Sequence, residues 1–498
     1  MNPAFILLVI AGYFAVLFAV SFLAGKKGDN AGFFTGNRKS MWFMVAFAMI
    51  GSSISGVTFV SVPGMVASSS FSYLQMVMGF VVGQALIAFV LVPLFYRMRV
   101  VSIYEYLATR FGTSSHHTGA WFFFISKMLG ASVRLFLVCL TLQLLVFDPL
   151  RLPFALNVAC TVALVWLYTF RGGVKSLIWT DSLKTCCLVT SVGMCIYYVA
   201  SDLQLSAAGL VRTVAESDLS RMFFFDDYND KRFFPKQFLA GVFTMIAMTG
   251  LDQDMMQRNL SCRNSKDSQK NIITSGIMQF FINLLFLMLG VLLYTYCAQR
   301  GIETPESSDK LFPMIATGGY FPVTVGILFI VGLVSSAYAT AGSALTALTT
   351  SFTVDIAGTK HKSDGEVKRL RQRVHVGMAL VSGGVIYIFN MLNNTSVIDA
   401  VYTLASYTYG PILGLFTFGI FMKRRVHDRY VPLVAILSPA LCFVLQNGSE
   451  SWFNGYRFSY ELLLFNALFT FVGLLMLTRN ASGKPSLLRP AQDKNIVK

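Results

Sequence analysis

Thirteen long apolar stretches recur along the chain, most of them without a single charged residue, and short polar segments separate them. About 20 apolar residues cross the hydrocarbon core of a bilayer as a helix, so each stretch is long enough to span a membrane. The stretches lie at roughly residues 3–24, 41–67, 71–96, 118–147, 152–170, 175–200, 237–257, 271–297, 319–352, 374–391, 397–422, 431–446 and 458–478. We therefore predict an all-α polytopic membrane protein with about 13 transmembrane helices, numbered below as spans 1 to 13.

The composition excludes a soluble globular protein. Hydrophobic residues make up 55% of the 498 positions, and charged residues only 13%. Helices that are apolar on every side need an apolar environment all round. Most of the protein surface is therefore predicted to face the lipid bilayer.

A net charge of +16 is also typical of nucleic-acid-binding proteins. The positions of the basic residues along the chain distinguish that function from a membrane protein. Lys and Arg concentrate in the loops after spans 1, 3, 5, 7, 9 and 11 and in the C-terminal tail. Loops rich in positive charge stay in the cytoplasm during membrane insertion. We predict a protein of the plasma (inner) membrane with the N-terminus outside and the C-terminus in the cytoplasm. The basic residues then indicate orientation, with no nucleic-acid partner, and no obligate protein partner is evident.

Two polar, small-residue segments interrupt apolar spans. Residues 51–58 read Gly-Ser-Ser-Ile-Ser-Gly-Val-Thr in span 2, and residues 335–343 repeat the pattern in span 9. Small residues allow close packing of membrane helices, which is one interpretation. Broken helices near the membrane midplane are also how secondary transporters bind ions, and two such segments favour a shared ion site between the two spans.

Two ionisable residues lie deep in predicted spans, where a charge needs a partner. Asp181 is about six residues inside span 6 and either faces a cation or pairs with the nearby Lys184 near the membrane interface. Arg134 lies in the middle of span 4, with Lys127 two turns earlier on the same face. Arg134 either binds an acidic group of a solute or pairs with backbone carbonyls in a structural role.

The sequence contains no motif that indicates an enzyme. All five histidines fall in loops or at the ends of spans. The chain contains no zinc-ligand spacing, no phosphate-binding glycine loop and no G-x-S-x-G nucleophile motif. We therefore predict that the protein is not an enzyme and carries no cofactor.

Four fragments resemble, in order, segments of the sodium:solute symporter family, which includes sodium/glucose, sodium/proline and sodium/sialic acid cotransporters. They are PLFYRMRVVSIYEYLATRFG (93–112), GGVKSLIWTDSLK (172–184), GLDQDMMQRNL (250–260) and YGPILGLFTFGIF (409–421). In the third fragment Asp252 stands where the family has asparagine.

The resemblance implies a fold like that of the leucine transporter, with two inverted five-helix repeats. Residues 1–40 would form an extra span and a cytoplasmic loop, and residues 41–200 the first repeat. Residues 201–236 would form an external loop and residues 237–422 the second repeat. Two further spans and a cytoplasmic tail would occupy residues 423–498.

The resemblance also implies sodium ligands. An alignment without gaps gives the main site the carbonyls of Gly51, Ile54 and Ser336 and the hydroxyl of Thr340. The second hydroxyl position of that site falls on Ala339, which has no side-chain oxygen, unless a shift in register brings Ser335 to the site. A second site would use Asp181 and Ser343, with Gly342 at its other hydroxyl position.

The solute contacts are implied by analogy to come from the break in span 2, from the next helix and from the helix that precedes Asp252. This nominates Thr58, Gln75, Met248 and Thr249, with Arg134 nearby. The aromatic residues Tyr402, Tyr407 and Tyr409 either cover this site or serve in packing.

We therefore predict a symporter that couples sodium to the import of a small organic solute, such as a carboxylate or sugar acid, by alternating access. Sodium is the coupling ion, and the bilayer and the solute are the other partners. The alternative is a sodium-independent facilitator or channel-like transporter of the same fold, in which Ala339 and Gly342 reflect lost coupling.

Overall fold

The computed structural model describes residues 3–24, 40–98, 102–169, 174–358, 363–392, 397–456 and 458–479, and it is built almost entirely of helices. Helices occupy all thirteen predicted spans. In chain order they are Pro3–Ala24; Trp42–Ser53 with Gly56–Gly64; Ser72–Leu86 with Val92–Met98; Thr113–Leu142; Phe154–Thr169; Val174–Asp202; Phe234–Met245 with Gln253–Asn259; Ser265–Arg300; Val323–Ser351; Asp364–Leu392; Val397–Thr408 with Gly410–Phe421; Val431–Trp452; and Leu462–Met476. The basic residues at 26–39, 99, 171, 360 and 362 and those beyond residue 479 lie outside the described residues.

The described helices fit a polytopic membrane protein. Seven helices are long and apolar enough to cross a membrane, and up to nine spans result if each of two bent pairs counts as one. Shorter apolar helices lie in spans 1, 5 and 13, and span 7 is divided into two pieces. Together these account for the thirteen predicted spans.

The predicted break in span 2 is present. Its two helices meet at an angle of 57°, and Ile54 and Ser55 between them have extended backbone. The backbone carbonyl of Ile54 accepts a hydrogen bond from the Ser336 hydroxyl of span 9 at 3.1 Å. The break therefore faces span 9, as predicted.

The prediction of a break in span 9 is wrong. The helix Val323–Ser351 runs without interruption through residues 335–343. The Ser335 hydroxyl donates to the carbonyl of Gly332, and the Thr340 hydroxyl donates to the carbonyl of Ser336. Hydroxyls can bond to carbonyls one turn earlier in the same helix, so a polar segment of this kind need not unwind.

Two breaks were not predicted. One lies in span 11, where the helices Asp399–Thr408 and Gly410–Phe421 meet at 47°, and the other lies in span 7. A π-helical turn at Ile246–Gly250 ends its first helix, and the chain is extended at Asp252. The Asp252 carboxylate accepts hydrogen bonds from the backbone N–H groups of Asp254 and Met255 at 2.9 and 3.2 Å. Asp252 is therefore the N-cap of the second helix, and its carboxylate stabilises the break.

Glycines bring spans 3 and 7 into backbone contact. A Cβ atom on Gly241 would lie 2.1 Å from the carbonyl oxygen of Met76, and one on Gly79 would lie 2.2 Å from that of Phe238. No side chain fits at either position, so the two spans pack at the distance that glycine allows.

Short elements complete the fold. They are the α-helices Val66–Ser69, Glu105–Arg110, Ala207–Ala215 and Leu311–Thr317; the π-helical turns Ile87–Leu91, Gln143–Phe147 and Phe352–Ile356; the 3-10 turns Asp218–Ser220, Ser308–Lys310 and Asp428–Tyr430; and the paired strands Arg425–Val426 and Thr478–Arg479.

Candidate ion and solute site

A cavity of about 90 Å³ lies where the breaks in spans 2 and 7 meet spans 4, 9 and 11. By this measure a water molecule needs at least about 10–15 Å³, so the cavity has room for several waters or a small organic group. Four of the five residues predicted to contact solute line it: Thr58, Arg134, Met248 and Thr249.

Gln75 is the exception, because it does not line this cavity. Its side chain is buried, its amide Nε2 donates to the carbonyl of Arg232 at 2.8 Å, and its Oε1 accepts from the backbone N–H of Phe224 at 3.4 Å. Gln75 therefore links span 3 by hydrogen bonds to the segment between spans 6 and 7. The structure does not support its predicted contact with solute.

A charged network lines the wall of the cavity beside the break in span 7. The amino group of Lys127 lies 3.0 Å from an oxygen of Asp252 and 3.1 Å from an oxygen of Asp254. The Tyr409 hydroxyl donates to Asp252 at 2.8 Å. Spans 4, 7 and 11 are thus held together at the cavity by groups that compensate one another's buried charge.

Tyr402 also lines the cavity, and its hydroxyl lies 2.9 Å from that of Tyr73 in span 3. Tyr73 lines a second, larger cavity that includes Asp230 and Arg232 of the segment between spans 6 and 7. The two tyrosines thus join the walls of the two cavities. Tyr407 instead hydrogen-bonds Gln446.

Asp181 does not pair with Lys184 but with Arg258 of span 7. The distance from Arg258 Nη1 to Asp181 Oδ2 is 2.7 Å, and the Ser52 hydroxyl donates to the same oxygen at 3.1 Å. Arg258 also donates to the Ser343 hydroxyl, which in turn donates to Asp254 at 2.7 Å. The predicted second sodium site, Asp181 with Ser343, is therefore bridged by a guanidinium group.

The predicted main sodium site brings Ile54, Ser336 and Thr340 together at the contact of spans 2 and 9. The Thr340 hydroxyl accepts a hydrogen bond from the amino group of Lys184 at 2.8 Å and donates its own proton to the Ser336 carbonyl at 2.8 Å. Lys184 is fully buried and has no carboxylate within 4 Å among the described residues. An amino group therefore lies on the only side-chain hydroxyl that the alignment assigns to this site.

Gly51 and Ala339 are the remaining two positions of the main site. A Cβ atom on Gly51 would lie 2.7 Å from the carbonyl oxygen of Asp181, so glycine is required for the close packing of spans 2 and 6. The side chain of Ala339 lies outside the described part of the chain.

Arg134 lines the cavity, and no hydrogen-bond acceptor contacts its guanidinium among the described residues. By contrast, Lys127 and Arg258 both pair with carboxylates. A guanidinium has five N–H donors in a planar fork that fits a carboxylate. Among the described residues that line the cavity, Arg134 is therefore the basic side chain whose donors are not engaged by the protein.

Sequence reasoning did not assign four residues to the site. Asp254 and Arg258 were not singled out, and Lys127 and Lys184 were named only as neighbours of Arg134 and Asp181. A signal was present for two of them, because Asp254 and Arg258 stand one helical turn apart directly after the unusual Asp252. Among the described residues, no group of three or more His, Cys, Asp or Glu side chains could hold a metal ion.

Comparison with known proteins places these residues in a family. The model of the sodium:solute symporter family matches residues 33–428. The sodium/sialic acid symporter NanT of Aliivibrio fischeri is 25% identical over 450 residues, which cover 87% of this chain and 86% of the relative. The human sodium-coupled monocarboxylate transporter 2 is 25% identical over 430 residues, covering 82% of this chain and 67% of the relative.

Among solved structures, a sodium-coupled sialic acid symporter in a substrate-bound, outward-open state superposes with a TM-score of 0.81. The match covers 96% of this chain and 99% of that structure at 18% sequence identity. At this identity the likeness establishes the fold, which is the fold with inverted five-helix repeats that the sequence predicted.

Proposed function

Because the chain belongs to the sodium:solute symporter family, we propose that it is a symporter that couples sodium to the import of a small organic acid, a carboxylate or sugar acid. The single observation that carries the choice of solute is Arg134, whose guanidinium lines the cavity without an acceptor among the described residues. The names of two relatives, which refer to sialic acid and to monocarboxylates, agree with an acidic solute.

In the proposed binding mode the acidic group of the solute accepts hydrogen bonds from Arg134. Thr58 and Thr249 line the same cavity, and their hydroxyls would orient polar groups of the solute, while Met248 would contact its apolar part. Lys127 is already paired with two carboxylates, so it would contribute less to the binding of an anion.

Transport would proceed by alternating access between the repeats at residues 41–200 and 237–422, in a membrane in which the N-terminus lies outside and the C-terminus inside. The hydroxyl pair of Tyr73 and Tyr402 joins one span of each repeat between the two cavities. Separation of this pair would open the solute cavity toward the cavity that contains Arg232.

One sodium ion is sufficient for substantial accumulation. An ion that crosses roughly 100 mV supplies about 2.3 kcal/mol, and a tenfold sodium gradient adds about 1.4 kcal/mol. Together these support roughly 500-fold accumulation of a neutral solute per ion. A carboxylate that moves with one sodium ion carries no net charge across the membrane, so the sodium gradient alone drives it and supports about tenfold accumulation. A single functional sodium site is therefore enough for uptake against a gradient.

The first test uses purified protein in detergent. Its melting temperature is measured in the presence of sugars, sugar acids, amino acids or carboxylates, each with and without sodium. Ligands of the folded state raise its stability. The best ligand is then radiolabelled and offered to proteoliposomes under an inward sodium gradient or an inward choline gradient. The proposal is supported if the solute accumulates above its equilibrium concentration under the sodium gradient and not under the choline gradient. Equal uptake under the two gradients contradicts sodium coupling.

The second candidate function is a sodium-independent facilitator. It is favoured by one observation: basic side chains contact ligands of both predicted sodium sites, Lys184 at Thr340 and Arg258 at Asp181. The choline experiment separates the two candidates, because a facilitator equilibrates the solute in either salt.

A further inference from the structure

Lys184 lies at a position that no solute-binding or packing role explains. Its side chain crosses from span 6 to span 9, is fully buried and ends with its amino group 2.8 Å from the Thr340 hydroxyl. It does not line the solute cavity, and its amino group makes no ion pair among the described residues.

The hydroxyl that Lys184 contacts already has two hydrogen-bond partners. Thr340 donates its proton to the carbonyl of Ser336 and accepts from the Lys184 amino group, both at 2.8 Å. Sodium binds to oxygen lone pairs, and the lone pair that Thr340 turns toward span 6 is engaged by a hydrogen-bond donor. A sodium ion on the remaining lone pair of Thr340 would lie beside this amino group, so the residues as arranged do not fit a sodium ion at this site.

We infer that the amino group of Lys184 takes the place of the ion at the main sodium site and competes with sodium for Thr340. The inference rests on the proposed function, since it deepens the account of the coupling site. The competition holds in either charge state of the amino group, because the side chain occupies the space and engages the lone pair. Sodium can bind at Thr340 only when the Lys184 side chain withdraws.

A second observation explains why sodium competes with Lys184 and not with Arg258 at the other predicted site. Arg258, a buried basic residue nearby, is held by Asp181 at 2.7 Å and by Asp254 at 3.4 Å. Among the described residues the Lys184 amino group instead contacts the neutral Thr340 hydroxyl and has no carboxylate within 4 Å. A side chain bound by one neutral hydrogen bond is displaced more readily than one bound by two carboxylates. Lys184 is therefore the side chain that sodium can displace.

The test is sodium binding by purified protein, measured as the rise in melting temperature across a sodium titration in choline buffer of constant ionic strength. Lys184→Met, which keeps the length of the side chain and removes the amino group, should lower the half-saturating sodium concentration at least tenfold. Lys184→Gln is the second variant, in case methionine disturbs folding. The melting temperature without sodium and the elution volume in gel filtration report whether each variant is folded.

Matched variants test whether the gain in sodium affinity arises at Thr340. Thr340→Val in the Lys184→Met background should abolish the gain in sodium affinity, while Ser343→Ala in that background should preserve it, because Ser343 belongs to the other predicted site. Lys236→Met is the control for removal of a buried lysine elsewhere, since Lys236 lies over the ring of Tyr456 at 3.7 Å. It should leave the sodium titration unchanged.

The outcomes separate the inference from the proposed function. If folded Lys184→Met and Lys184→Gln bind sodium no more tightly than the parent protein, the inference is overturned, whatever the uptake assay shows. If uptake by the parent is independent of sodium while Lys184→Met gains sodium binding through Thr340, the proposed coupling fails and the inference stands. Parent uptake that depends on sodium, together with the gain in Lys184→Met, supports both.

Discussion

Asp181 and Arg258 form an ion pair of 2.7 Å between spans 6 and 7, and both side chains are no more than 2% exposed. Span 6 is the last helix of the first proposed repeat and span 7 the first of the second. The pair therefore ties the two repeats together at the level of the predicted ion sites. A buried pair contributes little net stability, but removal of one partner leaves an uncompensated charge.

Asp181→Asn should destabilise the protein strongly. The substitution keeps the shape of the side chain and leaves the Arg258 guanidinium with Asp254 at 3.4 Å as its remaining carboxylate. A loss of about 3 kcal/mol or more is expected for a broken buried pair, seen as a lower melting temperature in detergent.

The control for this prediction is Asp202→Asn. Asp202 pairs with Arg300 at 2.8 Å, but both side chains are substantially exposed. Exposed pairs contribute about 0–1 kcal/mol, so this variant should melt close to the parent protein. Equal melting of Asp181→Asn and Asp202→Asn would show that the buried pair is not required for folding.

Gly241→Ala should disrupt the contact between spans 3 and 7. The new Cβ atom would meet the carbonyl oxygen of Met76 at 2.1 Å, and because this is a backbone atom it cannot rotate away. Overpacking of this kind typically costs about 1–3 kcal/mol, measurable as a lower melting temperature.

Gly193→Ala is the matched control, because nothing lies within 4 Å of its Cβ position in span 6. Alanine favours a helix by up to about 1 kcal/mol over glycine, so this variant should be as stable as the parent or more so. If both alanine variants behave alike, the packing of spans 3 and 7 is looser than the structure indicates.

The helices and the break in span 2 could be predicted from the sequence because both depend on local properties. Apolar length determines a span, and glycines with serines near the membrane midplane mark the break at Ile54. The same reasoning failed at residues 335–343, because hydroxyls there bond to carbonyls of an unbroken helix. Local composition alone does not distinguish these two outcomes.

The charged network of the site could not be predicted, because its partners are distant in sequence. Lys127 and Asp252 are 125 positions apart, and Asp181 and Arg258 are 77 apart. Proximity in sequence suggested the pairing of Asp181 with Lys184, yet the structure directs Lys184 to Thr340. Span packing decides which charges meet.

The orientation of the protein in the membrane is predicted from its basic loops. In a labelling experiment on intact cells, a membrane-impermeant thiol reagent should reach Asp226→Cys and Asp227→Cys, which are exposed in the segment between spans 6 and 7. Arg369→Cys and Arg424→Cys, also exposed, should react only after the membrane is permeabilised.

The native Cys262 is suited to remain in this experiment. It lies in the loop after span 7 and is fully buried, and burial raises the pKa of its thiol to about 12. The thiol therefore stays protonated and unreactive near neutral pH. The parent protein serves as the background control, and labelling of Arg424→Cys in sealed cells would contradict the predicted orientation.

Arg134→Lys should weaken solute binding more than sodium binding. Lysine keeps the positive charge but lacks the planar fork of donors that binds a carboxylate in a bidentate manner. We expect the apparent dissociation constant of an acidic solute to rise about tenfold or more, while the half-saturating sodium concentration changes little. Both are measured by melting-temperature titration and by uptake into proteoliposomes.

A neutral analogue of the same solute, such as its amide, distinguishes the role of Arg134. The analogue lacks the anionic group, so the parent protein should bind it weakly and Arg134→Lys should weaken its binding little further, because the bidentate contact is absent from the start. If the parent instead binds neutral sugars most tightly, and Arg134→Lys transports them at the parent rate, then the arginine is structural and the solute is not an acid.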